Sequence, residues 1–231
     1  FCVGVIFLSL LPHITVIFTS FTEGWGGTRY PTKFSLANYK RIFEVALAPI
    51  KNSLFLSTTA TLIAAVIGTL LSYINVRKNL RARWILDLTI MLPFILPGIV
   101  VGVAILVGFS SGVLILSGTW MILSIAFFIR RMPYIFRSTT ASLNQIDVAM
   151  EEASSITGAS WFTTFRKITL PLMAPGILAG AVISFSTLMG ELSTTVILYS
   201  ARWRTITVAI VDYLFSANIG PAYALGTILI L

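Results

Sequence analysis

Charge is scarce in this sequence, so its few charged residues carry most of its chemical information. Only 10% of the 231 residues are charged, and the net charge is +8. Asp147, Glu151 and Glu152 share one polar stretch with Gly158, Arg166 and Lys167, and Glu191 follows a long apolar run. Cys2 and His13 are the single cysteine and histidine. That inventory leaves no His-based triad, no disulfide within the chain and no structural zinc site, which needs about four Cys or His ligands. A glycine-rich phosphate loop ending in Lys-Ser/Thr is also missing. The acids instead suit a helix start, where a side-chain oxygen caps free amides and negative charge meets the positive end of the dipole.

The elements that must position these residues are membrane spans. The chain is 57% hydrophobic with a mean hydropathy of +0.94, whereas soluble domains run at about 45–50% apolar and roughly 25% charged. Lipid must therefore be the solvent for much of the surface. The positive charge fits loops on the cytoplasmic side better than a nucleic-acid surface, for which no binding pattern is present. The start at Phe1 lies inside an apolar run without a basic region before it, so it does not read as a signal peptide. Leu231 also lies inside an apolar run, and the chain reads as part of a longer one.

Six spans are expected, the last incomplete: Phe1 to Phe21, Ser53 to Asn75, Ile85 to about Val107, Trp120 to Tyr134, Ile168 to Met189, and one beginning at Pro221. Pro12 kinks the first, beside His13, which reads as packed or interfacial. Gly24, Gly26, Gly27 and Pro31 make the following connection irregular. Ser35 to Phe43 predicts a short serine-capped amphipathic helix on the membrane surface. Ser57, Thr58, Thr59, Thr61, Gly68 and Ser72 suit close helix contact in the second span. Arg77, Lys78, Arg81 and Arg83 mark a cytoplasmic loop. Asp87 then serves as a salt-bridge partner or as a charge at a helix start.

Pro93 and Pro97 break the third span twice within about a turn, either as a simple kink or to line a cavity. Arg130 and Arg131 end the fourth span and snorkel toward the inside. Glu191 to Arg204 is polar and outside, and Thr205 to Ser216, with Asp212, predicts a short amphipathic helix. On this topology the inside loops, 77–83 and 130–167, hold nine of the 16 Lys and Arg residues. No internal repeat of 20–50 residues is visible.

The polar stretch resolves into a docking element. Asp147 caps a helix whose first turn holds Glu151 and Glu152. Ala149, Ala153 and Ile156 fall on one small apolar face, shaped to enter a groove in a partner. Gly158 stops the helix or turns the chain with φ > 0. Arg166 and Lys167 anchor the chain at the headgroups, and Pro171 and Pro175 sit in the first turns of the next span, where missing amides cost least.

The residues Glu152-Ala153-Ser154, Gly158 four positions on, and Ile168-Thr169-Leu170-Pro171 after nine intervening residues resemble the cytoplasmic signature of type I ABC importer permeases. Ser154 stands where the family has a second alanine. Leu36-Ala37-Asn38-Tyr39, Asn52-Ser53-Leu54, Leu92-Pro93 through Gly98, and Met189-Gly190-Glu191-Leu192-Ser193 extend the resemblance over nearly the whole chain.

The resemblance implies an all-α integral membrane protein with a single permease domain over 1–231, which one half of a longer fused permease would also match. It implies a cytoplasmic coupling helix at about Asp147 to Gly158 that docks on an ABC ATPase, with Glu152 as anchor and Gly158 as turn. It further implies a second permease half, identical, different or fused, and an extracytoplasmic binding protein. The setting is the inner membrane of a prokaryote, with several passes through lipid. No cofactor is expected on this chain, no nucleic acid is expected as a partner, and ATP belongs to the partner subunit. The segment Met189 to Ser193 most resembles the ferric iron branch, with polyamine, sulfate or thiosulfate, and phosphonate branches nearby. Fe(III) favours oxygen ligands, so Glu191 either greets such a cation or is a solvated helix-end acid. Pro93, Pro97, Met189, Glu191 and Ser193 are the expected pathway residues. A secondary transporter or channel is the rival class, but it usually shows intramembrane acids or broken repeat pairs, and the span interiors here are nearly uncharged. An integral membrane enzyme lacks the clustered acids, His or Ser/Lys that it needs.

Overall fold

Apolar helices dominate because lipid offers no partner for a free amide or carbonyl, so the backbone must satisfy itself. A computed structural model of the chain describes residues 2–23, 33–78 and 83–231. Gly24, Gly26, Gly27, Pro31 and Arg81 lie outside the described residues. In chain order the helices are α1 (Cys2–Ser20), α2 (Ala37–Val45), α3 (Leu47–Arg77), α4 (Arg83–Ile95), α5 (Gly98–Gly108), α6 (Trp120–Asn144), α7 (Ala149–Ile156), α8 (Trp161–Thr164), α9 (Leu170–Met189), α10 (Thr195–Leu198), α11 (Ile206–Phe215) and α12 (Ile219–Ile230). A π-helical turn, Phe165–Thr169, fuses α8 to α9. Two short antiparallel strands, β1 (Thr22–Glu23) and β2 (Lys33–Phe34), pair Thr22 with Phe34.

The expected six spans are realised differently. Among the described residues, three helices are long and apolar enough to cross a membrane: Cys2–Ser20, Leu47–Arg77 and Trp161–Met189. The third expected span is a bent pair, α4 and α5, meeting at 107°. The break falls at Pro97, which precedes α5 with φ −55° and ψ 138°; Pro93 lies inside α4 and does not end it. The helix expected as the fourth span, α6, is not among these three and does not stop at Tyr134. It runs on to Asn144, which places Arg130 and Arg131 midway along α6. The basic pair is therefore not part of an inside loop, and Arg166 and Lys167 are helical. At 12 residues α12 is short.

The bundle core is α3 on α6 and α6 on α9. Small residues make these crossings close. Ser57, Ala60, Thr61, Ala64, Gly68 and Ser72 form the buried stripe of α3, and Thr58 is exposed. Ser72 exchanges a hydroxyl hydrogen bond with Thr140 of α6 at 2.9 Å. On α9, a side-chain carbon at Gly176 would stand 2.5 Å from Ser142 Cβ, and one at Gly180 2.8 Å from Ile135 Cα. Ser138 donates to the Gly176 carbonyl at 2.7 Å. The outer elements are tied by the residues of the recurring motifs. Ser35 accepts the Ala37 amide at 3.0 Å, and Asn38 donates to the carbonyls of Ser20 and Thr22 at 3.0 and 3.1 Å. Asn52 donates to the carbonyls of Arg202 and Arg204, and Ser53 accepts the Ile206 amide. The expected surface helix α2 buries Ile42 among Ile206, Ala209, Ala224 and Leu225. His13 is exposed on α1 rather than packed within the chain.

Candidate functional site

Helix α7 has one face exposed and the opposite face fastened to the bundle. Asp147 accepts the Ala149 amide at 2.9 Å, which starts α7 as the sequence requires. At the other end the Gly158 amide donates to the Ser155 carbonyl at 3.0 Å and the Ala159 amide to the Ser154 carbonyl at 3.2 Å. Gly158 has φ +84°. This is the paired-bond ending in which a glycine turns left-handed and satisfies the last carbonyls. Ala149, Glu152, Ala153 and Ile156 are exposed on one face, Ile156 at 85%.

The opposite face is fastened to the bundle. Glu151 accepts from Arg77 Nε at 3.0 Å, from the Tyr73 hydroxyl at 3.2 Å and from Thr169 Oγ1 at 3.2 Å. Arg77 also donates to the Ile146 carbonyl at 2.8 Å. Trp161 donates its indole N–H to the Tyr73 oxygen at 2.9 Å and stacks on Phe165 with centroids 5.4 Å apart. The anchoring acid within the chain is thus Glu151, not Glu152. At about 100° per residue, adjacent positions on a helix point to different sides, so Glu151 faces α3 while Glu152 joins the open face. Ser154, the departure from the family pattern, shares a hydroxyl hydrogen bond with Thr164 at 2.9 Å.

A second polar site lies at the far end of α9. Glu191 is 5% exposed, so it is not a solvated helix-end acid. Its Oε1 accepts from Arg130 Nη1 at 2.9 Å and from the Thr194 amide at 3.2 Å, and its Oε2 accepts from Arg131 Nη2. Arg130 also donates to Thr194 Oγ1 at 2.6 Å, and that hydroxyl donates to the Gly98 carbonyl at 3.2 Å. Gly98 is required here: a Cβ would lie 2.1 Å from Arg130 Nη1 and 2.6 Å from Ser193 Cβ. Arg131 lies over the Tyr134 ring, 5.8 Å from its centroid, and Tyr134 meets Phe94 edge-on at 5.3 Å.

Of the expected pathway residues, Pro97, Glu191 and Ser193 meet at this corner. Pro93 lies within α4, away from the break, and Met189 packs with the cluster around Ile42 and Ile206. Arg130, Arg131, Thr194 and Gly98 were not foreseen as partners of Glu191. The available signal was two adjacent arginines inside a helical pattern and one acid after an apolar run. Ionisable residues at membrane depth normally pair. Among the described residues, no group of three or more His, Cys, Asp or Glu is placed to hold a metal ion.

Comparison with known proteins sets these sites in context. Residues 58–231 match the family described as binding-protein-dependent transport system inner membrane component. The chain is 31% identical over 221 residues to the ferric transport system permease protein FbpB of Actinobacillus pleuropneumoniae, covering 94% of this chain but 32% of that relative. It is 30% identical over 221 residues to the putative 2-aminoethylphosphonate transport system permease protein PhnV of Salmonella paratyphi A, covering 95% of this chain and 83% of that one. Its fold is similar to that of a bacterial ABC transporter involved in the import of the acidic polysaccharide alginate, with a TM-score of 0.73 at 18% identity over 96% of this chain and 86% of that chain.

Proposed function

The chain belongs to the family of binding-protein-dependent transport system inner membrane components, and from that membership we propose that it is driven through α7 by a separate cytoplasmic ATPase. It is a permease of the ABC importer class, so its work is translocation. In the proposed assembly it pairs with a second permease half, identical, different or fused, and receives cargo from an extracytoplasmic binding protein. ATP stays on the ATPase subunits.

The observation that carries this reading is the division of α7 into an open face and a fastened one. Ala149, Glu152, Ala153 and Ile156 are free to enter a cleft. Behind them, Glu151 links the helix to α3 through Arg77 and Tyr73 and to the start of the α9 helix through Thr169. Closure of an ATPase pair moves the docked helix, and these bonds pass the motion to two long helices. The spans then alternate between inward-open and outward-open arrangements as rigid bodies.

The cargo proposed first is ferric iron, because the ferric relative and the segment Met189 to Ser193 point to that branch. An oxyanion such as phosphonate or sulfate is the second reading. It is favoured by the cluster at Glu191, which holds two arginines against one carboxylate. The cargo of the cognate binding protein decides between them.

The coupling assignment is tested with Gly158→Asp. An aspartate at φ +84° strains the turn that ends α7. We expect normal membrane insertion and an uptake rate lowered at least tenfold, with ATP hydrolysis no longer stimulated by the loaded binding protein. Uptake at the wild-type rate refutes the assignment.

A further inference from the structure

We infer that Arg130 and Arg131, held by Glu191, form a binding site for an oxyanion group of the transported cargo. The inference rests on the importer reading and deepens it by naming the chemistry that the pathway recognises.

The site is unbalanced in charge. Both arginines direct their ion pairs to one carboxylate, and among the described residues Glu191 is the one acid paired to either. One positive charge is left over in a region where the arginine side chains are 13% exposed. It is also unsaturated in hydrogen bonds. A guanidinium carries five N–H donors. The Nε atoms of Arg130 and of Arg131 are both buried and without a partner. Leaving a buried donor unfilled costs about 1–3 kcal/mol, and more when it is charged, so an acceptor brought to these guanidinium groups is favoured. An anion with several oxygens supplies both missing features, negative charge and acceptors in the planar geometry that a guanidinium matches.

The surroundings suit a transient ligand. The cluster abuts the 107° corner between α4 and α5, where Gly98 leaves no room for a side chain and the exposed Ser193 sits beside it. Tyr134 and the exposed Phe94 extend from Arg131 along the same corner. Glu191 holds the two arginines in place and offsets half their charge, so the anion binds and still leaves. A bare Fe(III) ion is repelled by the surplus charge. The oxyanion is therefore either the cargo itself, as in a phosphonate or sulfate, or an anionic ligand that accompanies iron.

Two substitutions separate this site from a simple lock, because they break the same ion pair and move the charge in opposite directions. Arg131→Gln removes the surplus positive charge, and Glu191→Gln doubles it. The assay uses the complete purified transporter without nucleotide. The probes are labelled sulfate, labelled 2-aminoethylphosphonate, and iron(III) with and without citrate. At least one probe should be retained by the wild type. Its retention should fall about tenfold in Arg131→Gln, rise about tenfold in Glu191→Gln, and fall less in Arg131→Lys, which keeps the charge but loses the fork. Retention of sulfate or the phosphonate identifies a free oxyanion as the source. Retention of iron only with citrate identifies the ligand of a ferric complex.

Shifts of the same sign in both Gln variants, or no shift, overturn the inference, since a lock or an acid donated by the other permease half predicts equal damage. If either Gln variant fails to assemble, the wild type decides: iron(III) held without citrate in preference to every oxyanion, or no probe held at all, overturns it. ATP hydrolysis stimulated by the binding protein is measured on the same wild-type sample. Its absence counts against the importer reading and leaves the charge test standing.

Discussion

Glu151 and Glu191 stand at the two ends of the long helix Trp161–Met189, and they are opposites in electrostatics. Glu151 meets one arginine and two hydroxyl donors, and it is charge-balanced. Glu191 meets two arginines and is outnumbered. A balanced, saturated carboxylate has nothing left to bind, so its consequence is mechanical: it joins α7 to α3 and α9. An outnumbered carboxylate leaves charge and donors free, so its consequence is chemical. The pair shows that an acid flanking a span takes its role from how its partners are counted, not from its position next to the span.

The largest effect should come from Glu191→Ala. Removing the one carboxylate strands two arginines in a buried setting, and breaking such a pair typically costs about 3–5 kcal/mol. Thermal unfolding of the purified permease should show the loss as a large drop in midpoint together with poor yield from membranes. Glu151→Ala should be milder. Arg77 and Tyr73 lose an acceptor near the end of α3, and Thr169 loses one too, at a cost of about 1–3 kcal/mol. Uptake should fall further than stability does, because the joint between α7 and the bundle is lost. If the two alanine variants unfold alike, the contrast between a balanced and an outnumbered site is wrong.

The balanced site was far more legible in the sequence than the outnumbered one. Around α7, the cap at Asp147, the open face at Ala149, Ala153 and Ile156, and the left-handed turn at Gly158 all follow from local rules that act within a few turns of helix. What failed locally was the choice between adjacent acids. Glu151 and Glu152 differ only by about 100° of rotation, and the side that faces the protein depends on Arg77, 74 residues away along the chain.

At the other end nothing local placed Arg130 beside Glu191, a separation of 61 residues. The arginines read as the end of a span because isolated charge is costly in lipid. That inference holds only for an unpaired charge. Paired with Glu191, they allow α6 to run on to Asn144, 25 residues in all. The bend at Pro97 was legible from the prolines, but its angle was not. Gly98 packs at that corner against Arg130 and Ser193, contacts that lie far away along the chain.

The finest test concerns Ser154, which stands where the signature it resembles is expected to carry a second alanine. The half-buried side chain there faces Thr164, which is buried. The serine adds a hydroxyl hydrogen bond of 2.9 Å between α7 and α8. Ser154→Ala should therefore cost only about 1 kcal/mol, the net worth of one ordinary hydrogen bond. The cycle with Thr164→Val separates that bond from lost packing: when both partners are apolar, no donor is stranded, so the double variant should recover part of the loss. A coupling of about 0.5–1.5 kcal/mol by chemical denaturation is expected. Zero coupling would mean that the hydroxyls do not join the two helices, leaving Glu151 as the tether on the fastened side of α7. The balanced site would then be a single-point joint, and Glu151→Ala should abolish uptake outright.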